Sequence, residues 1–206
     1  MRSRDLRLSP TWQDLAPKIT AKHAAGEHFE DMLEMNIAIK MRTLQPYAEH
    51  YARLEHGIWV ERRLDTNPPT VIDLGGGYGA MLNFWPNGST VIMLDFPAML
   101  AIQHRYASEV AGDRLNVLYV PYDEVDRIVF DRHDTYLFSA WALTETTSDT
   151  WAYYIERAQD LAGAYVVGHD KWEDLPQWPF DGLAMQFERA NLYPVENGVR
   201  LEAWRE

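Results

Sequence analysis

Cysteine is absent from this 206-residue chain, which removes disulfides and thiolate metal sites from consideration. Basic residues are scarce: 19 Lys and Arg stand against 31 Asp and Glu, a formal net charge of −12. Nucleic-acid recognition leans on clustered Lys and Arg, so this balance points away from a nucleic-acid partner. No apolar run approaches the ~18 residues that a membrane span needs, so none is expected. The opening Met1-Arg2-Ser3-Arg4-Asp5 leads into no apolar stretch, which reads as no signal peptide and a cytoplasmic location. Repeats and low-complexity segments are missing too. His23, His28, His50, His56, His104 and His133 show no paired ligand spacing and read as surface residues.

What is present fits an ordinary folded protein. Apolar residues make up 47% and charged residues 24%. One compact domain is the default, because a chain beyond ~150 residues buries roughly 70% of its unfolded surface. Residues 1–20, with Pro10 and Pro17, read as irregular. From about Ala24 the pattern turns helical: Phe29, Met32, Leu33, Ile37, Met41 and Leu44 follow i, i+3, i+4 spacing, with Asn36 and Lys40 as polar exceptions. Pro46 opens a second helix to about Leu64, and Asp65-Thr66-Asn67-Pro68-Pro69 breaks it. The expected division is a helical extension or cover over 1–66 and a main domain over 67–206.

From Thr70 onward, strands and helices alternate. The expected strands are Thr70–Leu74, Thr90–Asp95, Leu115–Val120, Thr135–Ala140 and Ala164–Gly168. The expected helices run from about Ala80 to Phe84, Pro97 to Val110, Asp149 to Ala162 and Asp181 to Ala190. Pro97 suits the first helical position, where its missing N–H costs nothing. Two short runs, Leu192–Glu196 and Val199–Trp204, are joined by Asn197-Gly198, a strong hairpin signal. Such alternation predicts an α/β, doubly wound sheet with right-handed crossovers and helices on both faces. Ligands in these sheets sit outside the carboxyl ends of the strands, where strand order reverses.

The densest signal is Val71-Ile72-Asp73-Leu74-Gly75-Gly76-Gly77-Tyr78-Gly79. Consecutive glycines after a strand let the backbone turn tightly and approach a ligand with no Cβ in the way. Gly75, Gly77 and Ala80 also satisfy the dinucleotide pattern GxGxxA, which is weak taken alone. A diphosphate would gain nothing from Asp73 beside those glycines, because the two charges repel. Asp95, at the end of the second strand, suits the ribose hydroxyls of either kind of cofactor.

Together these residues resemble the cofactor site of class I S-adenosylmethionine-dependent methyltransferases. A nicotinamide cofactor and a chance glycine turn are the competing readings. The resemblance implies a Rossmann-like seven-stranded sheet, mostly parallel, ending in the antiparallel hairpin seen above. It implies that Asp73 orients the amino end of the cofactor methionine beside the turn Gly75, Gly76, Gly77, Tyr78 and Gly79. Asp95 would hold the ribose, Phe96 would pack on the adenine face, and Tyr122 and Asp123 would meet the adenine edge. Ala140 and Trp141 would lie beneath the cofactor, facing its methyl group.

Within that class, the Asn/Asp-Pro-Pro-aromatic turn of DNA and protein N-methyltransferases is missing after the fourth strand. Asn67-Pro68-Pro69-Thr70 has half of it, but precedes the first strand and reads as a linker. Gly77-Tyr78-Gly79, Asp95-Phe96-Pro97 and Trp141-Ala142-Leu143-Thr144-Glu145 instead resemble the sugar O-methyltransferase group, over roughly residues 28–170. The chain departs from that group in carrying Thr144 for the usual Ser and in being shorter at both ends, which bears on substrate recognition.

The implied reaction moves a methyl group from S-adenosyl-L-methionine to a hydroxyl of a sugar or sugar-containing small molecule. The alternatives are a non-sugar acceptor, methylated on O or N, and a non-catalytic binding domain of the same fold. A hydroxyl is a poor nucleophile, so a general base would help. His169, with Asp170 beside it, is the first candidate, and Glu145 is the second. The acid that metal-dependent O-methyltransferases carry right after the fourth strand is missing, so no metal is expected. Trp141, Trp172 and Trp178 fall near strand ends and are candidate pocket walls, while Tyr47, Tyr51 and Arg53 would reach the site from the cover. A short chain with 8 Trp is also a candidate homodimer.

Overall fold

The computed structural model describes residues 59–60, 64, 68–77, 79–168, 179–195 and 198–206. Seven strands form one sheet: β1 Thr70–Leu74, β2 Thr90–Asp95, β3 Asn116–Pro121, β4 Thr135–Ala140, β5 Gly163–Gly168, β6 Arg189–Val195 and β7 Gly198–Trp204. Their spatial order is β3-β2-β1-β4-β5-β7-β6. The first five pair in parallel. β7 runs antiparallel to both β5 and β6, so it alone is reversed. This is the doubly wound sheet with a closing hairpin that the sequence predicts. The order reverses between β1 and β4, which opens a crevice at their carboxyl ends.

Side chains alternate across the strands and divide the core into two layers. Ile72, Leu74, Ile92, Leu94, Leu137, Val166 and Leu201 face one side. There they pack against α2 (Ser148–Arg157) through Trp151 and Tyr154, and against α3 (Pro179–Ala184) through Phe180 and Leu183. Val71, Val91, Met93, Phe138, Tyr165 and Val167 face the other side, against Trp85 and α1 (Pro97–Val110). Trp59, Val60 and Leu64, which precede β1 in the chain, are all buried in this second layer. Trp59 meets Tyr165 at 5.1 Å between ring centroids, and Phe138 stacks on Tyr165 at 5.3 Å. The rest of the expected cover, including Tyr47, Tyr51 and Arg53, lies outside the described residues. Among the described residues, no helix is long and apolar enough to cross a membrane.

Most expected boundaries hold within a residue, but two helices are shorter than expected. The helix expected from Asp149 to Ala162 stops at Arg157, and Ala158–Asp160 tightens into a 3-10 turn. The helix expected from Asp181 to Ala190 stops at Ala184. The physical reason is β6: Arg189, Ala190 and Asn191 pair with Trp204, Ala203 and Glu202, which draws them out of any helix. Arg205 then ties the exposed ends together. Its guanidinium donates to the carbonyls of Leu161 at 2.9 Å, Ala158 at 3.0 Å and Gln186 at 2.7 Å. Orphan carbonyls at helix ends need such partners. The two outermost strands each carry a proline, Pro121 closing β3 and Pro194 near the end of β6.

Candidate functional site

Two turns bound the crevice at the switch point. The first follows β1. Gly75, Gly77 and Gly79 have φ of +67°, +60° and +97°, a region that L side chains avoid. The Gly75 N–H donates to Leu94 O at 2.9 Å, and the Gly79 N–H donates to Gly76 O at 2.9 Å. The first bond locks the turn to the end of β2. Space is also decisive here. A Cβ on Gly75 would lie 2.1 Å from Ala142 Cβ, and one on Gly76 would lie 2.7 Å from Met93 Cε and 3.0 Å from Asp73 Oδ1. The turn therefore rests directly on the Asp73 carboxylate.

Asp73 is 1% exposed, and neither of its oxygens has a hydrogen-bond partner among the described residues. Burial, with a smaller push from the charge of Asp95, raises its pKa to about 7. Asp95 is also buried, and its pKa is pushed up to about 7 by burial. Its two hydrogen bonds pull the other way: the Phe96 N–H donates to Oδ1 at 2.9 Å, and Gln103 Nε2 donates to Oδ2 at 2.9 Å.

The second turn follows β4. Trp141 has φ of +76°, the only positive φ on a non-glycine among the described residues, and its N–H donates to Val167 O at 2.6 Å. A 3-10 turn, Ala142–Glu145, follows at once. Buried Ser139 Oγ accepts from the Leu143 N–H at 2.9 Å, and Thr144 Oγ1 donates to Trp141 O at 2.7 Å. This turn packs against glycine backbone, since a Cβ on Gly168 would meet Thr144 Cγ2 at 2.2 Å.

Between the turns a cleft opens to solvent. Its lining includes Gly75, Gly77, Asp95, Phe96, Tyr122 and Glu145, all named from the sequence. It also includes Leu74, Leu94, Met99, Ala142 and Thr146, to which sequence reasoning gave no role at the site. Asp73 and Gly76 lie behind that wall, and Gly79 begins the return to the 3-10 turn Ala80–Asn83. Asp123 is exposed. Ala140 and Trp141 are partly buried and pack against the layer that holds Phe138 and Tyr165. Trp141 there approaches β7, 3.3 Å from where a Cβ on Gly198 would stand. Tyr78, His169, Asp170, Trp172 and Trp178 lie outside the described residues. No group of three or more His, Asp and Glu side chains is placed to hold a metal ion among the described residues.

Gln103 is the residue that sequence reasoning missed altogether. It is fully buried on α1, and its amide reaches both Asp95 and Gly77. The signal was available: Leu100, Gln103 and Ala107 share one helix face, and a polar residue on an apolar stripe asks for a reason.

Comparison with known proteins places the fold. No protein-family model matches the chain, and no curated protein matches it. Solved structures do. An O-methyltransferase family protein from Burkholderia thailandensis aligns over 81% of this chain and 57% of its own, at 13% identity and a TM-score of 0.53. Magnesium protoporphyrin IX methyltransferase from Synechocystis, with bound S-adenosylhomocysteine, aligns over 74% of this chain and 81% of its own, at 13% identity and a TM-score of 0.55. A precorrin-6y C5,15-methyltransferase from Geobacter metallireducens aligns over 72% of this chain and 87% of its own, at 13% identity and a TM-score of 0.53. The chain thus spans a little over half the length of the Burkholderia protein. The likeness is one of fold: a Rossmann-like methyltransferase sheet.

Proposed function

We propose that the chain binds S-adenosyl-L-methionine in this cleft and transfers its methyl group to a hydroxyl of a sugar or sugar-containing small molecule. One observation carries the cofactor reading. A glycine turn cleared of Cβ atoms lies over a buried carboxylate with no partner among the described residues, and a second carboxylate lines the same cleft. An orphan buried acid is costly unless something completes it. A positive charge laid over the turn does so, and a diphosphate would not.

The residues present fit this cofactor. Gly75 and Gly77 let its backbone-facing edge come close, and Asp95 retains lone pairs for the ribose hydroxyls. Leu94, Phe96, Met99 and Tyr122 give the adenine an apolar bed. When bound, S-adenosyl-L-methionine supplies a methyl group on a cationic sulfur, already activated for attack. The protein's share is then alignment and the exclusion of water. Glu145 lines the wall shared with Thr146 and Ala142, which supports it as the group that accepts the proton of an incoming hydroxyl. His169 and Asp170, at the end of β5, are proposed for the same task from their place in the sequence. The net charge of −12 supports a small-molecule acceptor over a nucleic acid.

Calorimetry with S-adenosylhomocysteine tests the cofactor, and absence of heat from the wild-type protein would sink the reading. Activated sugars, glycosylated metabolites and non-sugar alcohols and amines, screened side by side for methyl transfer, test the acceptor. Methylation confined to the non-sugar set would overturn the sugar assignment and keep the cofactor.

A further inference from the structure

The amide of Gln103 is out of place on its helix face. Leu100 and Ala107, one turn to either side, pack into the apolar layer beneath α1, and Gln103 between them is 0% exposed. Desolvating an amide there is unfavourable unless its polar atoms find partners. Both hydrogens do, while Oε1 has none among the described residues. Nε2 donates to Asp95 Oδ2 at 2.9 Å and to Gly77 O at 2.9 Å. Two acceptors facing one amide group dictate its orientation, because only the NH₂ end suits both. Gly77 sits at φ +60°, and a Cβ built there would find nothing within 4 Å among the described residues.

We propose that Gln103 is a positioning residue of the cofactor site, tying the ribose-facing carboxylate of Asp95 to the glycine turn at Gly77 so that the two keep one geometry. This rests on the reading that the cleft takes S-adenosyl-L-methionine. A hydrogen bond donated to a carboxylate also favours its ionised form, the form that accepts from two hydroxyls at once. Burial pushes the Asp95 carboxyl up to about 7, and Gln103 and the Phe96 N–H oppose that push. Among the described residues, Asp73 stands on the neighbouring β1, and Tyr122 and Glu145 line the same cleft after β3 and β4. On α1, His104 and Arg105 are exposed, so Gln103 is the polar contact from that helix.

Gln103→Leu removes the donor while keeping the volume on an apolar stripe, and Gln103→Met is a second variant of the same kind. The first readout needs no ligand: the pH titration of the Asp95 carboxyl carbon by NMR. In both variants the midpoint moves to higher pH by about one pH unit or more. An unmoved midpoint overturns the proposal. The second readout is S-adenosylhomocysteine affinity against pH. The ligand's own titration is common to all the proteins and cancels in the comparison. The variants bind roughly 10-fold or more weakly near pH 7, and the gap narrows to about 3-fold near pH 9, where Asp95 ionises without help. A gap of equal size at every pH is packing damage alone and overturns the proposal, as does no gap. Wild-type protein that gives no binding condemns the cofactor reading instead, and the carboxyl titration still decides whether Gln103 governs Asp95.

Discussion

The two turns that bound the cleft solve one problem by opposite means. Both must reverse the chain at a strand end with backbone in the positive-φ region. The turn after β1 does so with glycines at three positions, and the turn after β4 does so with a tryptophan. For glycine the cost lies in the unfolded chain, which loses more freedom on folding. For Trp141 the cost is steric and sits in the folded state. Their polar groups differ in the same way. Ser139 and Thr144 spend their hydroxyls on the second turn's own backbone, whereas Asp73, under the first, has no partner among the described residues. Among the described residues, the second turn satisfies its own hydroxyls and the first leaves a buried carboxylate open.

The contrast is sharpest where the turns touch. Gly75→Ala drives a methyl group into Ala142 and forces an L residue to φ +67°. Overpacking and positive φ together cost roughly 3–4 kcal/mol, read as a lower denaturation midpoint in urea, with loss of S-adenosylhomocysteine binding. The double variant Gly75→Ala/Ala142→Gly should recover most of the packing share. If it recovers none, the two turns are not in contact as described.

Asp95→Ala asks whether the first turn's acids serve a ligand. Losing a carboxylate that accepts from two hydroxyls should weaken S-adenosylhomocysteine about 100-fold by calorimetry. An unchanged affinity would make Asp95 a structural acid.

The buried acids also set a pH signature that the second turn cannot produce. Asp73 and Asp95 have pKa values raised to about 7 in the folded protein. Unfolded aspartates titrate near ~3.9, so between the two values the folded state holds more protons. Stability of the ligand-free protein therefore falls as pH rises from about 4 to about 7, by up to ~1.4 kcal/mol per pH unit for each acid, and levels off above. Thermal melts across that range should show the decline, and Asp73→Asn should reduce it by roughly half. A rising Tm over the same window would contradict the assignment.

The smallest effect tests the strain at Trp141. Glycine there should leave the protein about 1 kcal/mol more stable than alanine does, because only glycine tolerates φ of +76° freely. Comparing Trp141→Gly with Trp141→Ala in urea cancels the common loss of the indole. Alanine equal to glycine would mean that the second turn carries no strain.

The same contrast explains what the sequence made legible. The first turn is spelled in glycine, and a residue type that tolerates rare backbone shapes advertises them. The strands were equally plain, since Thr70–Leu74, Thr90–Asp95 and Thr135–Ala140 were read to the residue. The bend at Trp141 was invisible, because nothing in a tryptophan encodes a positive φ; it lies where Thr144 closes on Gly168 and the indole on Gly198. Gln103 was obscured for a different reason. Its partners Asp95 and Gly77 are 8 and 26 positions away, and only the folded helix brings them together. The early end of α3 follows from β6 pairing with β7, a tertiary demand that overrides local helical preference.

The prolines on the outer strands bear on how the protein behaves in concentrated solution. An open sheet offers a row of free amides and carbonyls at each margin, which is how strands recruit other chains into aggregates. Leu118 on β3 and Leu192 and Tyr193 on β6 are exposed there and would favour such recruitment. Pro121 and Pro194 each delete one donor from that row, so a chain arriving at either margin meets a gap before it can zip up. Pro194→Thr would close one gap and shorten the time the protein stays clear on storage.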